Sequence, residues 1–159
     1  MQTGVTHSYS YGGLEKTPRQ SIVDLEAMLM QHPDNMTSKE ATAKFVTHYY
    51  APGTYARHMT IAKNMCIVGK IHKHAHINLL MRGKVKVVTP FGDDFLEGPH
   101  IWVSEPGTKR ALVALTDLDW VTVHSNPDDL DDPDLLEDQI VVDTFEELDT
   151  FLLERGDIT

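Results

Sequence analysis

The stretch "GKIHKHAHINLLMRGKV", residues 69–85, sets His72, His74 and His76 at alternate positions and follows them with hydrophobes. Side chains two apart on a β-strand share a face. The three imidazoles then point one way, Asn78 and Leu80 continue their face, and Ile77, Leu79 and Met81 line the other. Beyond the histidines both faces are apolar. One face can pack in a core. The other needs cover from a helix of the same chain or from a second copy, so a homodimer through Ile77, Leu79 and Met81 is expected.

Imidazole is a ligand for divalent Zn, Fe, Mn or Ni when three or four donors converge. Three histidines along a straight strand span too far to reach one ion. If His72 and His76 both serve, the chain bends between them or His74 points elsewhere. The competing reading is a partly solvated strand end, with Lys70 and Lys73 interspersed.

Outward from this stretch, residues 45–124 consist of short runs rich in Val, Ile, Thr and aromatics. Strands are expected over 45–50, 55–62, 65–71, 76–81, 84–89, 94–97, 100–103, 110–115 and 120–124, with Pro-, Gly- and Asp-containing breaks between them. This spacing predicts an antiparallel sandwich or barrel. Trp102 and Trp120 are expected core anchors. Cys66, flanked by Met65 and Ile67, reads as a small buried hydrophobe. His124 ends the run WVTVH on the face of Trp120 and Thr122, and His58 and His100 fall on other strands without an evident partner.

Before the strands, residues 1–20 lack periodicity and read as a flexible arm. Residues 21–32 repeat apolar positions at helical spacing behind Ser21 as cap, and TSKE, with Thr37 and Glu40, is a capping signal for a second short helix. After Pro127 an acidic stretch leads to TFEELDTFLLERG. There Thr144 and Glu147 form a capping box, Phe145, Leu148, Phe151 and Leu152 a stripe, and Gly156 a stop. The expected division is an arm and leader over 1–44, a β body over 45–127 and an acidic extension over 128–159.

The net charge is −10 over 159 residues. Residues 125–159 carry 13 acidic side chains and one basic, whereas residues 1–124 carry 13 basic and 11 acidic. Nucleic-acid binding is disfavoured, because the tail repels phosphates. The tail reads as a solubilising face or as a docking element for a basic surface. No apolar run reaches membrane-spanning length and the N-terminus has no secretory h-region, so a cytoplasmic setting with no membrane contact is expected. One cysteine, which forms no intramolecular disulfide, fits a reducing compartment. Nucleophile elbows and phosphate-binding glycine loops are absent.

The stretch IHKHAHINLLMRGKVKV resembles the first motif of the cupin superfamily, and SEPGTKRALVAL resembles its second. Together with TYARHMTIA and DWVTVHSNP, they resemble small cupin proteins of tailed bacteriophages and prophages. The resemblance covers residues 51–127. It implies a single antiparallel jelly-roll β-barrel with a helical leader and an acidic helical tail. It also implies a setting in the host cytosol or the virion, with phage or other protein partners for a non-catalytic accessory component. Counted back from Gly83, His76 falls where many metal cupins have glutamate, with His72 and His74 as the His-x-His pair. The second-motif ligand position falls on Arg110, and a guanidinium cannot ligate a metal. Three outcomes stay open: three protein donors plus water, His124 as substitute donor, or no metal. Lys109 and Arg110 alternatively form an anion pocket beside the histidines, with Asn78 on the same face as a further ligand-binding candidate. The competing reading pairs Arg110 with Glu105, Asp117 or Asp119 as a structural ion pair. No reaction follows from the resemblance, since the fold hosts many.

Overall fold

The computed structural model describes residues 17–158. The leader contains α1 (Pro18–Met30) and α2 (Ser38–Phe45). Thr17, not Ser21, caps α1, because Pro18 occupies the first helical turn, where a missing N–H costs nothing. Residues 18–20, expected in the arm, are therefore helical, and residues 1–16 of that arm lie outside the described residues. The capping box of Thr37 and Glu40 on α2 is present.

Ten strands follow: β1 (Val46–Ala51), β2 (Gly53–Ile61), β3 (Cys66–Val68), β4 (Ile71–His72), β5 (His76–Arg82), β6 (Lys84–Thr89), β7 (Gly92–Glu97), β8 (His100–Ser104), β9 (Ala111–Ala114) and β10 (Leu118–Asn126). The chain ends in α3 (Pro133–Ile140), β11 (Val141–Val142) and α4 (Phe145–Arg155). The sheets are antiparallel: five strands in the order β1-β2-β10-β5-β8, four in the order β3-β9-β6-β7, and the pair β11-β4. The molecule is thus mainly β, but the expected single barrel is not closed. Its strands divide among three sheets, and the two larger ones face each other across the core. At the β5–β6 turn, Gly83 has φ +100° and a Cβ there would lie 2.3 Å from the Asp117 carbonyl oxygen, so only glycine fits.

Between the two large sheets lies a core of Ile61, Leu80, Val85, Val87, Leu112, Ala114, Leu118 and Trp120. Trp120 is fully buried, and Trp102 packs edge-on against it at 4.9 Å. Cys66 is exposed, contrary to its expected burial. The strand expected over 65–71 breaks into β3 and β4, because β3 pairs with β9 while β4 turns to pair with β11. Helix α3 was not anticipated. Asp132 caps it, Pro133 starts it, and Leu136 and Ile140 bury one face. The capping box of α4 and its left-handed stop at Gly156 are as expected. Helices α1 and α4 pack together through Ile22, Phe145 and Leu148 against Ile71 and Ala111. Arg19 adds two hydrogen bonds to Asp149, at 2.8 and 3.1 Å. No helix among the described residues is long and apolar enough to cross a membrane.

Candidate functional site

Strand alternation and register arrange the inner face of the five-stranded sheet in rows. One row runs Val46, Met59, Trp120, Leu80 and ends at His100, which is exposed and whose ring lies tilted by 33° against Trp102 at 5.2 Å. The next runs His48, Arg57, Thr122, Asn78 and Trp102. A third carries Tyr50, Tyr55 and His124 on one side and His76 and Ser104 on the other. Two residues along each strand therefore separate a hydrophobic core from a row of rings and hydroxyls.

His72 joins that row from β4, because the chain is irregular between His72 and His76. The His72 and His76 rings stack at 4.1 Å, His76 and His124 at 4.9 Å, and His72 and His124 at 5.7 Å. His74 does not join them. It points outward, where its Nδ1 lies 3.1 Å from an Arg155 nitrogen and its ring meets the edge of Phe151. His72 Nδ1 faces the Thr108 carbonyl at 3.4 Å, and His76 Nδ1 faces the His74 carbonyl at 3.4 Å. A ring nitrogen facing a carbonyl carries the proton, which leaves Nε2 of both rings with a lone pair. Nε2 of His76 is buried and has no hydrogen-bond partner. His124 Nε2 instead contacts the Thr122 hydroxyl at 3.0 Å.

Burial keeps all three imidazoles neutral. It holds His72 well below the ordinary histidine range, His76 at about 4 and His124 at about 3. Mutual repulsion adds to this at His72 and His124, and the Arg110 charge adds to it at His72 and His76.

Arg110 is 9% exposed, and its guanidinium donates to the Ser104 hydroxyl. It lies 5.9 Å from the centroids of both Trp102 and Trp120. Burial lowers it to about 10, still cationic at neutral pH. The expected structural ion pair is not made. Asp119 is taken by Arg82 and His58, Asp117 receives the Lys63 backbone N–H, and among the described residues no carboxylate pairs with Arg110. His58 thus has a partner that sequence reading did not find. Lys109 is also buried but faces away, with its Nζ bonded to the Gly69 carbonyl and paired with Glu26 of α1 at 2.9 Å. Asn78 is engaged within the protein, accepting from Trp120 Nε1 at 3.2 Å and donating to Ser104 Oγ at 2.8 Å. The chain Trp120–Asn78–Ser104–Arg110 ties the core to the charged end.

Arg57, which sequence reading missed, lies on the same inner face beside Thr122. Among the described residues its Nε is buried without a partner, and its guanidinium bonds only to the Thr42 hydroxyl, at 3.4 Å. The usable signal was its position two residues after Tyr55 on one strand.

The arrangement does not fit a resident metal ion. The His72 and His124 planes differ by 2° and each makes 27° with His76, so the rings lie side by side instead of aiming at a common point. Among the described residues no three His, Cys, Asp or Glu side chains are placed to hold an ion. Arg110 adds a repelling charge, and the set contains no carboxylate.

The C-terminal extension roofs this end of the sheet. Val141 pairs with His72, and Leu136, Ile140 and Val141 pack on Tyr55. Lys70 pairs with Glu137 at 2.6 Å and Asp143 at 2.9 Å, so part of the acidic tail is neutralised on its own chain.

No family model matches the sequence, and no curated protein matches it. Among solved structures, the chain is similar to KdgF from Halomonas sp. at 18% identity and a TM-score of 0.45, covering 54% of this chain and 82% of that one. It is similar to EutQ of Clostridium difficile at 11% identity and a TM-score of 0.45, covering 60% and 84%. A third similar structure is a cupin-2 domain protein from Shewanella frigidimarina, at 8% identity and a TM-score of 0.43, covering 61% and 99%. Cupin-domain proteins are thus among its structural neighbours. At these values the likenesses carry no argument about ligand or reaction.

Proposed function

We propose that this chain is a cupin-type binding protein whose inner-face site takes a small organic anion. Arg110 supplies the charge, and His124 supplies a hydrogen bond from Nδ1 when its Nε2 accepts from the Thr122 hydroxyl. One observation carries the reading: a buried guanidinium that, among the described residues, has a single hydroxyl partner and no carboxylate. A buried charge without a counterion is costly, and a planar guanidinium matches carboxylate and phosphate oxygens. In this reading residues 45–127 form the binding unit and residues 128–159 its roof. No reaction is assigned.

The test is thermal unfolding at fixed ionic strength with carboxylates and phosphate. A ligand at about 100 times its Kd adds about 2.7 kcal/mol of stability. Stabilisation that is lost in Arg110→Gln is the expected result. No anion effect at millimolar concentration overturns the reading.

A second reading, a divalent Zn, Fe, Mn or Ni ion on His72, His76 and His124, is favoured by the unpartnered Nε2 of His76. It requires the rings to rotate. Stoichiometric metal in protein purified without a tag, lost in a His72→Ala/His76→Ala variant, would establish it.

A third reading concerns assembly. It is a homodimer, or a phage accessory contact in the host cytosol or virion, through the outer face of the five-stranded sheet. Ile77 and Met81 are exposed there, as are Ile101 and Val103 on the neighbouring strand.

A further inference from the structure

We infer that the ligand is a compact dianion bridging Arg57 and Arg110; this rests on the anion reading above and extends it to a ligand class. Both guanidiniums belong to the inner face, and among the described residues neither has a carboxylate partner. Arg110 is equidistant from Trp102 on β8 and Trp120 on β10, which places it over the intervening strand β5. Arg57 stands on β2, on the far side of β10. Arg57 therefore stands beyond His124 on the β2 side, and Arg110 lies over the strand that carries His76. Arg57 is diagonal to His124, and its charge is among the causes that keep that ring neutral.

The columns of β2 and β5 are two strand spacings apart, roughly 10 Å. A charge-assisted hydrogen bond of about 2.8 Å at each end leaves roughly 4 Å between the two acid groups. That suits a short dicarboxylate better than a single carboxylate. His124 offers a ring N–H to the ligand when its Nε2 accepts from the Thr122 hydroxyl, and Glu137, whose charge reaches Tyr55 in the same row, is paired with Lys70.

The experiment compares malonate and succinate with acetate and propionate on the full chain, by calorimetry or thermal shift at constant ionic strength and pH 7. A second charge-assisted pair is expected to tighten binding by about tenfold or more. Arg57→Gln should remove that gain, bringing succinate to the affinity of propionate, and Arg57→Lys should restore part of it. Equal affinity of the mono- and dicarboxylates for the unsubstituted protein overturns this inference while leaving the anion site standing. So does unchanged succinate binding in a folded Arg57→Gln protein. Failure of every acid to bind overturns both.

Discussion

The two ends of one sheet face differ more than their separation suggests. Trp120 and His124 are four residues apart on β10, and Leu80 and His76 are four apart on β5. At the Leu80 end, burial is apolar and closed by Val85, Leu112 and Leu118. At the His76 end, burial encloses the imidazoles of His76 and His124, a guanidinium and two hydroxyls, with His72 half-buried beside them. The same strands and the same alternation thus build an end that stabilises the fold and an end that burdens it. The second is tolerated because the imidazoles shed their charge and the Asn78–Ser104 bridge satisfies the groups between.

Acid should separate the two ends most strongly. In the unfolded chain an imidazole takes a proton below about pH 6.5. In the folded chain His76 stays neutral down to about 4 and His124 to about 3, with His72 also well below normal. Between these limits the unfolded state binds more protons, so stability is full above pH 7 and falls as pH falls. From pH 7 to pH 5 His76 and His124 together should remove about 4 kcal/mol, and His72 adds to that loss. Denaturant unfolding at the two pH values measures this, and His124→Phe should shrink the loss by about 2 kcal/mol. A flat profile would mean that the rings are protonated or open to water. Leu80→Ala should then cost about 3 kcal/mol, by the same amount at both pH values, since it deletes buried methyl groups without touching a titrating one.

Legibility in the sequence follows the same division. Capping boxes, turns and strand alternation are local, and the helices at residues 38–45 and 145–155 and the shared face of His76, Asn78 and Leu80 were readable from them. What required register was not. Lys109 and Arg110 are adjacent, yet one turns to Glu26 on α1 and the other to Ser104 on β8. Nothing within the segment says which faces the histidines. His58 meets Asp119 only because β2 lies beside β10. His74 leaves the cluster because the chain around it is held by the C-terminal extension, with Lys73 N–H bonded to the Ile140 carbonyl. Arg57 reaches the inner face through the same register of β2 against β10.

Arg110 breaks the symmetry between ends in sign. Truncating a core side chain destabilises, but replacing a buried cation that lacks a counterion with a hydrophobe of similar volume is neutral or stabilising. Arg110→Met should raise stability by about 1 kcal/mol while abolishing the anion response, because Ser104 keeps its bond from Asn78. A loss above about 2 kcal/mol would instead make the guanidinium a structural tie between the sheets.

The smallest expected effect lies on the opposite face of the same strands. Ile77 stands between Val103 and Val123, and Leu79 between Ile101 and Val121, which gives two apolar rows across β8, β5 and β10. Ile101 is 67% exposed and Val103 59%, and β8 is an edge strand. Side chains this exposed contribute little to the folded monomer, so Ile101→Thr with Val103→Thr should change its stability by no more than about 0.5 kcal/mol. Threonine keeps the β-branched shape while removing apolar area from the rows. If a second copy covers this face, light scattering should give twice the 17.9 kDa chain mass for the unsubstituted protein and the single mass for the variant. A single mass for both at tens of micromolar would leave the outer face without a self-partner. The exposed rows would then be a surface for another protein, since an apolar sheet face beside an open edge is also an aggregation hazard.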